Sequence, residues 1–398
     1  MPRPRSGNCS GIPFRPKPLR RPRLLKLLSQ PDQRALLDHL ARRLDDLLCQ
    51  KQLGPIARML RDYVLASGKR IRPQLCLWTF NLIAGEQDPL DPRRSELLDA
   101  ACSWELFHAF LLVHDDIIDE ADTRRGEPSL HRQLASLDSH SIVFGRNLGI
   151  VAGDLLHAAS MRLWQGVRGE HLDKGACCEL AGLFSRIGLE TGAGQAADIR
   201  QSHAPLGQIA ETDILLGYQN KTAAYTFEGP MLTGALLAGL DGPARQQLAR
   251  FAQSLGQAYQ IQNDLIDLDA PLHDGCDLAQ GKRTLTLLRA RAALDAEGQQ
   301  AMDRDLLGIE QLPSAARLER AERLRDIVRA TGAGQATHDF VASLVSRAAE
   351  QADDATLPAG LRQGLGDLIG SLSSTYFKSS MTADTPVRAK MPDAVGHG

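Results

Sequence analysis

The chain of 398 residues is 43% apolar, enough for a large buried core, and at about 150 residues per domain its length alone allows two or three domains. Its 46 basic and 48 acidic residues nearly cancel to a net charge of -2, which argues against general affinity for nucleic acid or anionic membrane. The balance hides an asymmetry: seven basic residues and no acid lie within the first 23, leaving 39 basic against 48 acidic residues in the remainder. An acidic body that binds an anion must do so through local basic clusters or metal ions.

Residues 1–30 are rich in Pro and Arg without periodic apolar spacing, which predicts a disordered extension, and residues 378–398 read as a disordered tail. Between them, 31–377 shows no compositional break and no fixed-period repeat, and is read as one domain. From Pro92 to Pro358 the intervening prolines stand only at 128, 205, 230, 243, 271 and 313, and the stretches between are rich in strong helix formers. Apolar residues recur at steps of three and four, as in Leu248, Phe251, Leu255, Ala258 and Ile261, so an all-α fold is predicted. Segments such as 95–119 and 243–267 would form helices of about 37 Å, lengths suited to a large bundle.

No uninterrupted apolar run reaches the roughly 18–20 residues of a bilayer span; the candidate 231–240 is broken by Thr233 and Gly234. The N-terminus has no signal-peptide apolar core, so a cytoplasmic chain without a membrane span is expected. Seven cysteines without a Cys-x-x-Cys pair suggest reduced thiols rather than a disulfide framework or zinc site.

Charged motifs follow in chain order. Gly68-Lys69-Arg70-Ile71-Arg72-Pro73 places cations after a glycine. Asp115-Asp116-Ile117-Ile118-Asp119 ends an apolar helical stretch, and on a helix Asp115 and Asp119 stack on one face. Paired carboxylates suit Mg²⁺, which dehydrates reluctantly and shares its coordination with substrate phosphates. Their place at a helix C-terminus, where the macrodipole repels anions, calls for a compensating cation. Arg124-Arg125-Gly126 follows, then Asn220-Lys221-Thr222, then a second oxygen-rich row, Gln260-Ile261-Gln262-Asn263-Asp264-Leu265-Ile266-Asp267, and finally Gly281-Lys282-Arg283-Thr284. Two rows on separate helices flanked by four basic clusters describe a diphosphate-binding cavity.

Together with Glu105-Leu106-Phe107-His108, Ala152-Gly153-Asp154-Leu155-Leu156 and Gly194-Gln195, this ordered series resembles the trans-isoprenyl diphosphate synthase (polyprenyl synthetase) family over roughly residues 65 to 285. The resemblance implies the all-α isoprenoid synthase fold, helices around a central cavity, usually as a homodimer. It implies head-to-tail condensation of isopentenyl diphosphate with an allylic diphosphate, with Asp115, Asp119, Lys221, Asp264 and Asp267 as the catalytic positions. Mg²⁺, three ions with substrate bound, would be held by Asp115, Asp116, Asp119, Asn263, Asp264 and Asp267. Arg124, Lys221, Thr222, Gln260 and Lys282 would contact the allylic diphosphate, and Lys69, Arg72, His108 and Arg125 the isopentenyl diphosphate. His114, about 100° round the helix from Asp115, is expected either to pack or to support the acidic row from behind.

The chain departs from that family where Asn263 replaces the usual Asp, where the loop Leu272-His273-Asp274-Gly275-Cys276-Asp277 lacks a lysine, and at Thr286, where proline is common. In the family, side chains before the first acidic row limit product length. Phe110 and Leu111, five and four positions before Asp115, resemble the geranylgeranyl diphosphate type, with farnesyl diphosphate next; Phe107 and Leu111 lie closer to the Asp115 stripe by helical angle. A class I terpene synthase is the nearest alternative. However, the hydroxyl residue and glutamate its second metal motif needs are Asp267 and Pro271 here. A non-catalytic regulatory subunit is the other alternative, supported only by Asn263 and the altered loop.

Overall fold

The computed structural model describes residues 27–66, 68–85, 92–124, 126–139 and 141–377. Arg125, most of the expected N-terminal extension and the 378–398 tail lie outside the described residues. The first helices are α1 (Gln30–Leu47), α2 (Pro55–Leu65), α3 (Ile71–Ala84) and α4 (Pro92–Ile118). A small antiparallel hairpin, β1 (Thr123–Arg124) with β2 (Glu127–Pro128), and α5 (Leu130–Ala135) lead to α6 (Ile142–Trp164) and α7 (Lys174–Ser202). Helix α8 (Glu211–Tyr218) runs into a π-helical segment (Gln219–Glu228) and then α9 (Gly229–Leu237). The chain continues through α10 (Gly242–Asp269), α11 (Leu285–Ala292), α12 (Ala296–Leu306), α13 (Ser314–Thr331), α14 (Ala333–Ala352) and α15 (Ala359–Thr375). The all-α expectation is met.

Local sequence explains where the long helices start. Asp173 and Asp241 each accept a backbone N–H three residues on, from Ala176 and Ala244 at 2.9 Å, and Pro243 occupies the first turn of α10. Such a cap contributes about 1 kcal/mol by satisfying a donor the helix leaves unpaired. Thr284 caps α11 in the same way, which anchors the chain just after Lys282.

Helix α10 is the spine of the molecule. Leu248, Phe251, Leu255, Ala258 and Ile261 are all fully buried, as the three- and four-residue spacing requires. The first part of this stripe joins the core built on α3, α4, α6, α7 and α9, and the second joins a separate core with α8, α11, α12, α13 and α14. One helix thereby fixes two packing units relative to each other.

By length and composition, 93–118 in α4 could cross a bilayer, although no uninterrupted apolar run marks it. Yet 72% of its most apolar window is buried within the protein, against α6, α3 and α9, the pattern of a central bundle helix. The six described cysteines are free thiols.

The π segment is wedged between α7 and α10. A Cβ at Gly194 would lie 2.5 Å from the Lys221 backbone nitrogen, and one at Gly256 would lie 2.5 Å from Ala223 Cβ. These approaches admit only hydrogen. Gly194→Ala is therefore expected to destabilise the protein by about 1–3 kcal/mol, the range for overpacking. Gly182→Ala on the open side of α7 should leave stability equal or slightly higher. Denaturant melts of both variants check this; equal midpoints would show that the π segment moves aside at no cost.

Candidate active site

The rows and basic clusters meet at a cavity of about 1180 Å³. Lys69, Arg72, His108, Phe110, Leu111, Asp115, Arg124, Lys221, Thr222, Gln260, Asn263, Asp264 and Lys282 all line it. Asp116, Asp119 and Asp267 do not line it; each contacts a residue that does, Arg124, Lys282 and Asp277 respectively. The lining mixes charged groups with Phe110, Leu111, Leu112, Ile214 and Tyr225.

The first row sits at the C-terminus of α4. Asp116 is completely buried and accepts from Arg124 Nε at 2.7 Å, while Arg124 Nη2 lies 3.5 Å from Asp115 Oδ2. The second Asp116 oxygen is buried with no partner, so an acceptor is left over in this row. Burial raises the Asp116 carboxyl pKa against the opposing pull of Arg124, and burial likewise raises that of Asp119, with Lys282 opposing and Asp115 adding repulsion. The small hairpin that presents Arg124 turns at Gly126, whose φ of 87° lies in the left-handed region open to glycine.

The second row ends α10. Asp264 accepts from Gln260 Nε2 at 2.7 Å and from the Tyr218 hydroxyl, which in turn accepts the Leu285 N–H at 3.0 Å. Burial and the charge of Asp277 push the Asp264 carboxyl up to about 8, although those hydrogen bonds and Lys282 oppose the shift. Asp267, raised to about 6 by burial and Asp277, accepts the Asp277 N–H at 2.7 Å. The Asn263 carbonyl oxygen accepts from the Tyr376 hydroxyl.

Lys282 joins the rows. Its ammonium lies 3.6 Å from Asp119 and 3.2 Å from Asp277, the residue whose backbone holds Asp267. Burial alone would pull this ammonium down; Asp277, Asp119, Asp115 and Asp198 instead push it well above the usual lysine range. Lys221 pairs with Asp198 of α7, and is raised because Asp198 and Asp115 outweigh its desolvation.

Lys69 and Arg72 flank the start of α3. Arg72 donates to Thr226 Oγ1 at 2.7 Å and lies 4.3 Å from the centre of the Tyr225 ring, and His108 stands 6.0 Å from that ring. Arg70 occupies the left-handed region (φ 47°) and is held by Glu105 and by the Ala66 carbonyl at 2.7 Å, separating the two flanking cations. His114 both packs and lines the cavity: its Nε2 lies 3.1 Å from the Ile150 carbonyl oxygen and its ring 4.9 Å from Phe110.

Of the three length-setting candidates, Phe110 and Leu111 line the cavity and Phe107 does not. Helical angle favoured Phe107, but it is 3% exposed, buried against Trp104, Phe184, Tyr225 and Phe110, so it backs the wall. Sequence reasoning also left out Asp198, Asp277, Tyr218 and Tyr376. Asp198 had a signal, three residues after Gln195 on the same face of α7; the others are placed by loops and long-range packing.

Among the described residues, no three His, Cys, Asp or Glu side chains converge on one metal position. The donors fit Mg²⁺ nevertheless. They are carboxylates in separate rows, burial and neighbouring carboxylates raise their pKa values against the pull of Lys282, and Asp116 retains an unused oxygen. An ion bound there completes its shell with water and substrate oxygens, as Mg²⁺ prefers.

The Asp264 carboxyl provides a sign-definite expectation. Its folded pKa lies above the unfolded value of about 3.9, so the folded state retains a proton that the unfolded state has lost, and stability falls as pH rises from about 4 to about 8. Asp264→Asn is expected to melt at least about 3 °C above the metal-free parent at pH 8.5, with a smaller gain at pH 5. Thermal scans in chelator check this, and an equal gain at both pH values would refute it.

The polyprenyl synthetase family pattern matches residues 55–321. A short chain isoprenyl diphosphate synthase of Methanocaldococcus jannaschii is 30% identical over 243 residues, 60% of this chain and 66% of that protein. A chloroplastic geranylgeranyl pyrophosphate synthase of Capsicum annuum is 30% identical over 277 residues, covering 65% and 69%. The crystal structure of geranylgeranyl pyrophosphate synthase from Corynebacterium glutamicum, complexed with isoprenyl diphosphate and magnesium, superposes with a TM-score of 0.73 at 28% identity, covering 87% of this chain and 98% of that one. The cavity, its two oxygen rows and these likenesses agree: this chain belongs to the polyprenyl synthetase family.

Proposed function

We propose that the chain is a Mg²⁺-dependent short-chain trans-prenyl diphosphate synthase of the (2E,6E) type, which condenses isopentenyl diphosphate with an allylic diphosphate and stops at geranylgeranyl diphosphate. The observation that carries this reading is the convergence of Asp115, Asp264, Arg124, Lys221 and Lys282 on one cavity that also has an apolar wall. Farnesyl diphosphate is the next product in order, because Leu111 is bulky and shares the wall with Phe110.

When bound, Mg²⁺ would be held by Asp115, Asp119, Asp264 and Asp267, three ions being the expected number, and would supply positive charge to the allylic diphosphate. The chain's own groups do the rest. Lys221, Lys282 and Arg124 take the anionic charge that grows as the C–O bond to diphosphate breaks, where fixed cations lower the barrier most. Thr222 and Gln260 orient that group. The apolar wall keeps water from the allylic cation, and Lys69, Arg72, His108 and Arg125 hold isopentenyl diphosphate so that its double bond attacks the cation carbon. The new C–C bond takes the alkene electron pair, and the departing diphosphate accepts the proton lost as the double bond reforms. No protein base is needed.

The reading includes a cytoplasmic homodimer that binds no nucleic acid and has no membrane span. Its support is the near-neutral charge and an apolar surface on α6, where Val143, Ile150 and Val151 are 68%, 47% and 53% exposed.

Mass analysis of products from Mg²⁺, isopentenyl diphosphate and each allylic primer tests the assignment. A C20 diphosphate formed only with both substrates is expected. Turnover of the allylic diphosphate alone would indicate a cyclase, and an inactive protein that alters a partner's products a regulatory subunit. Asp115→Ala should lower kcat/KM by about 10²–10³ or more, the loss typical of a group stabilising transition-state charge, and excess chelator should abolish turnover until Mg²⁺ is restored. Phe110→Ala, which opens the wall toward Phe107 and His157, should shift products beyond C20; an unchanged distribution removes Phe110 from length control.

A further inference from the structure

Asn263 departs from the acidic pattern of the second row, and its surroundings give it different work. Its carbonyl oxygen, the only atom of the side chain that a hard cation would take, accepts from the hydroxyl of Tyr376. Tyr376 caps the end of α15, where its N–H donates to the Leu372 carbonyl at 2.7 Å, and it is 5% exposed. Its ring stacks on Tyr259, centroids 4.8 Å apart and planes 12° apart. Tyr259 lies four residues before Asn263 on the same face of α10, and both line the cavity. On the same Tyr376 ring, 5.5 Å from its centre, lies the ammonium of Lys69, within the range of cation–π attraction. The Lys69 backbone is separately held by Gln74 at 2.7 Å.

We propose that Asn263 and Tyr376 form a positioning pair for isopentenyl diphosphate: Asn263 fixes the Tyr376 hydroxyl, the ring so fixed supports Lys69, and the metal row is left to Asp264 and Asp267. This rests on the synthase reading and assigns a role to the end of α15. It also accounts for the neutral residue. An aspartate against the ring that carries Lys69 would draw that ammonium toward the protein and away from the incoming diphosphate, whereas an amide holds the same hydroxyl without competing.

The test is titration calorimetry of isopentenyl diphosphate onto the metal-free protein, together with Mg²⁺ dependence of turnover. Tyr376→Leu, which removes stack and cation support, should weaken isopentenyl diphosphate binding about five-fold or more. Tyr376→Phe and Asn263→Ala should each weaken it about two- to three-fold, and the double variant little further, because both break the same side-chain network of Asn263, Tyr376 and Tyr259. Asn263→Asp should leave the half-saturating Mg²⁺ concentration within about two-fold. Unchanged binding in Tyr376→Phe and Asn263→Ala, additive losses in the double variant, or a five-fold or greater fall in half-saturating Mg²⁺ for Asn263→Asp each overturns the pairing. If Tyr376→Leu fails to fold, the Phe and Ala cycle decides alone. A parent protein that neither binds isopentenyl diphosphate nor forms prenyl product overturns the synthase reading itself, an outcome distinct from failure in the variants alone.

Discussion

Carboxylates gathered at the C-terminal ends of two helices repel one another and both macrodipoles, and the rest of the site is arranged around relieving that repulsion. Lys282 lies between Asp119 and Asp277, Arg124 is drawn onto Asp116, and Lys221 onto Asp198. Even so, burial and the charge of Asp277 hold the Asp264 and Asp267 carboxyls up at about 8 and about 6, against the pull of Lys282. In the proposed reaction these carboxylates would hold divalent ions, and Lys221 and Lys282 would bind diphosphate oxygens.

This arrangement depends on backbone proximity that ordinary residues would prevent. The π segment brings Lys221, Thr222 and Tyr225 to the cavity wall from one short stretch, and it fits because Gly194 and Gly256 leave room on either side. An aromatic group of Trp104, Phe107 and Phe184 gives the wall at Phe110 a rigid backing. Rigid walls suit a reaction in which an electron-poor carbon must meet one alkene and no water.

Much of this was legible in the chain. The Leu248 to Ile261 stripe identified α10 and its buried face, and the stacked aspartates identified the ends of both long helices, because helical periodicity is a local property. Phe107 was misplaced for a related reason: helical angle ranks neighbours around one helix but is blind to Trp104 and Phe184, whose packing takes Phe107 into the core and leaves Phe110 on the wall. Tyr218 and Tyr376 carried no warning, since a tyrosine becomes a carboxylate or amide partner only when distant segments meet.

By itself the sequence determined the helical class, the residue types able to hold divalent ions and diphosphate, and the order in which they occur, all of which follow from spacing and side-chain chemistry. Only the tertiary structure decided that Lys282 joins the two rows, that Asp198 and Asp277 belong with them, and that Asn263 faces a tyrosine from the last helix. The reason is that charge pairing and burial depend on distance in space, and those distances are set by how α7, α10 and α15 pack rather than by any interval along the chain.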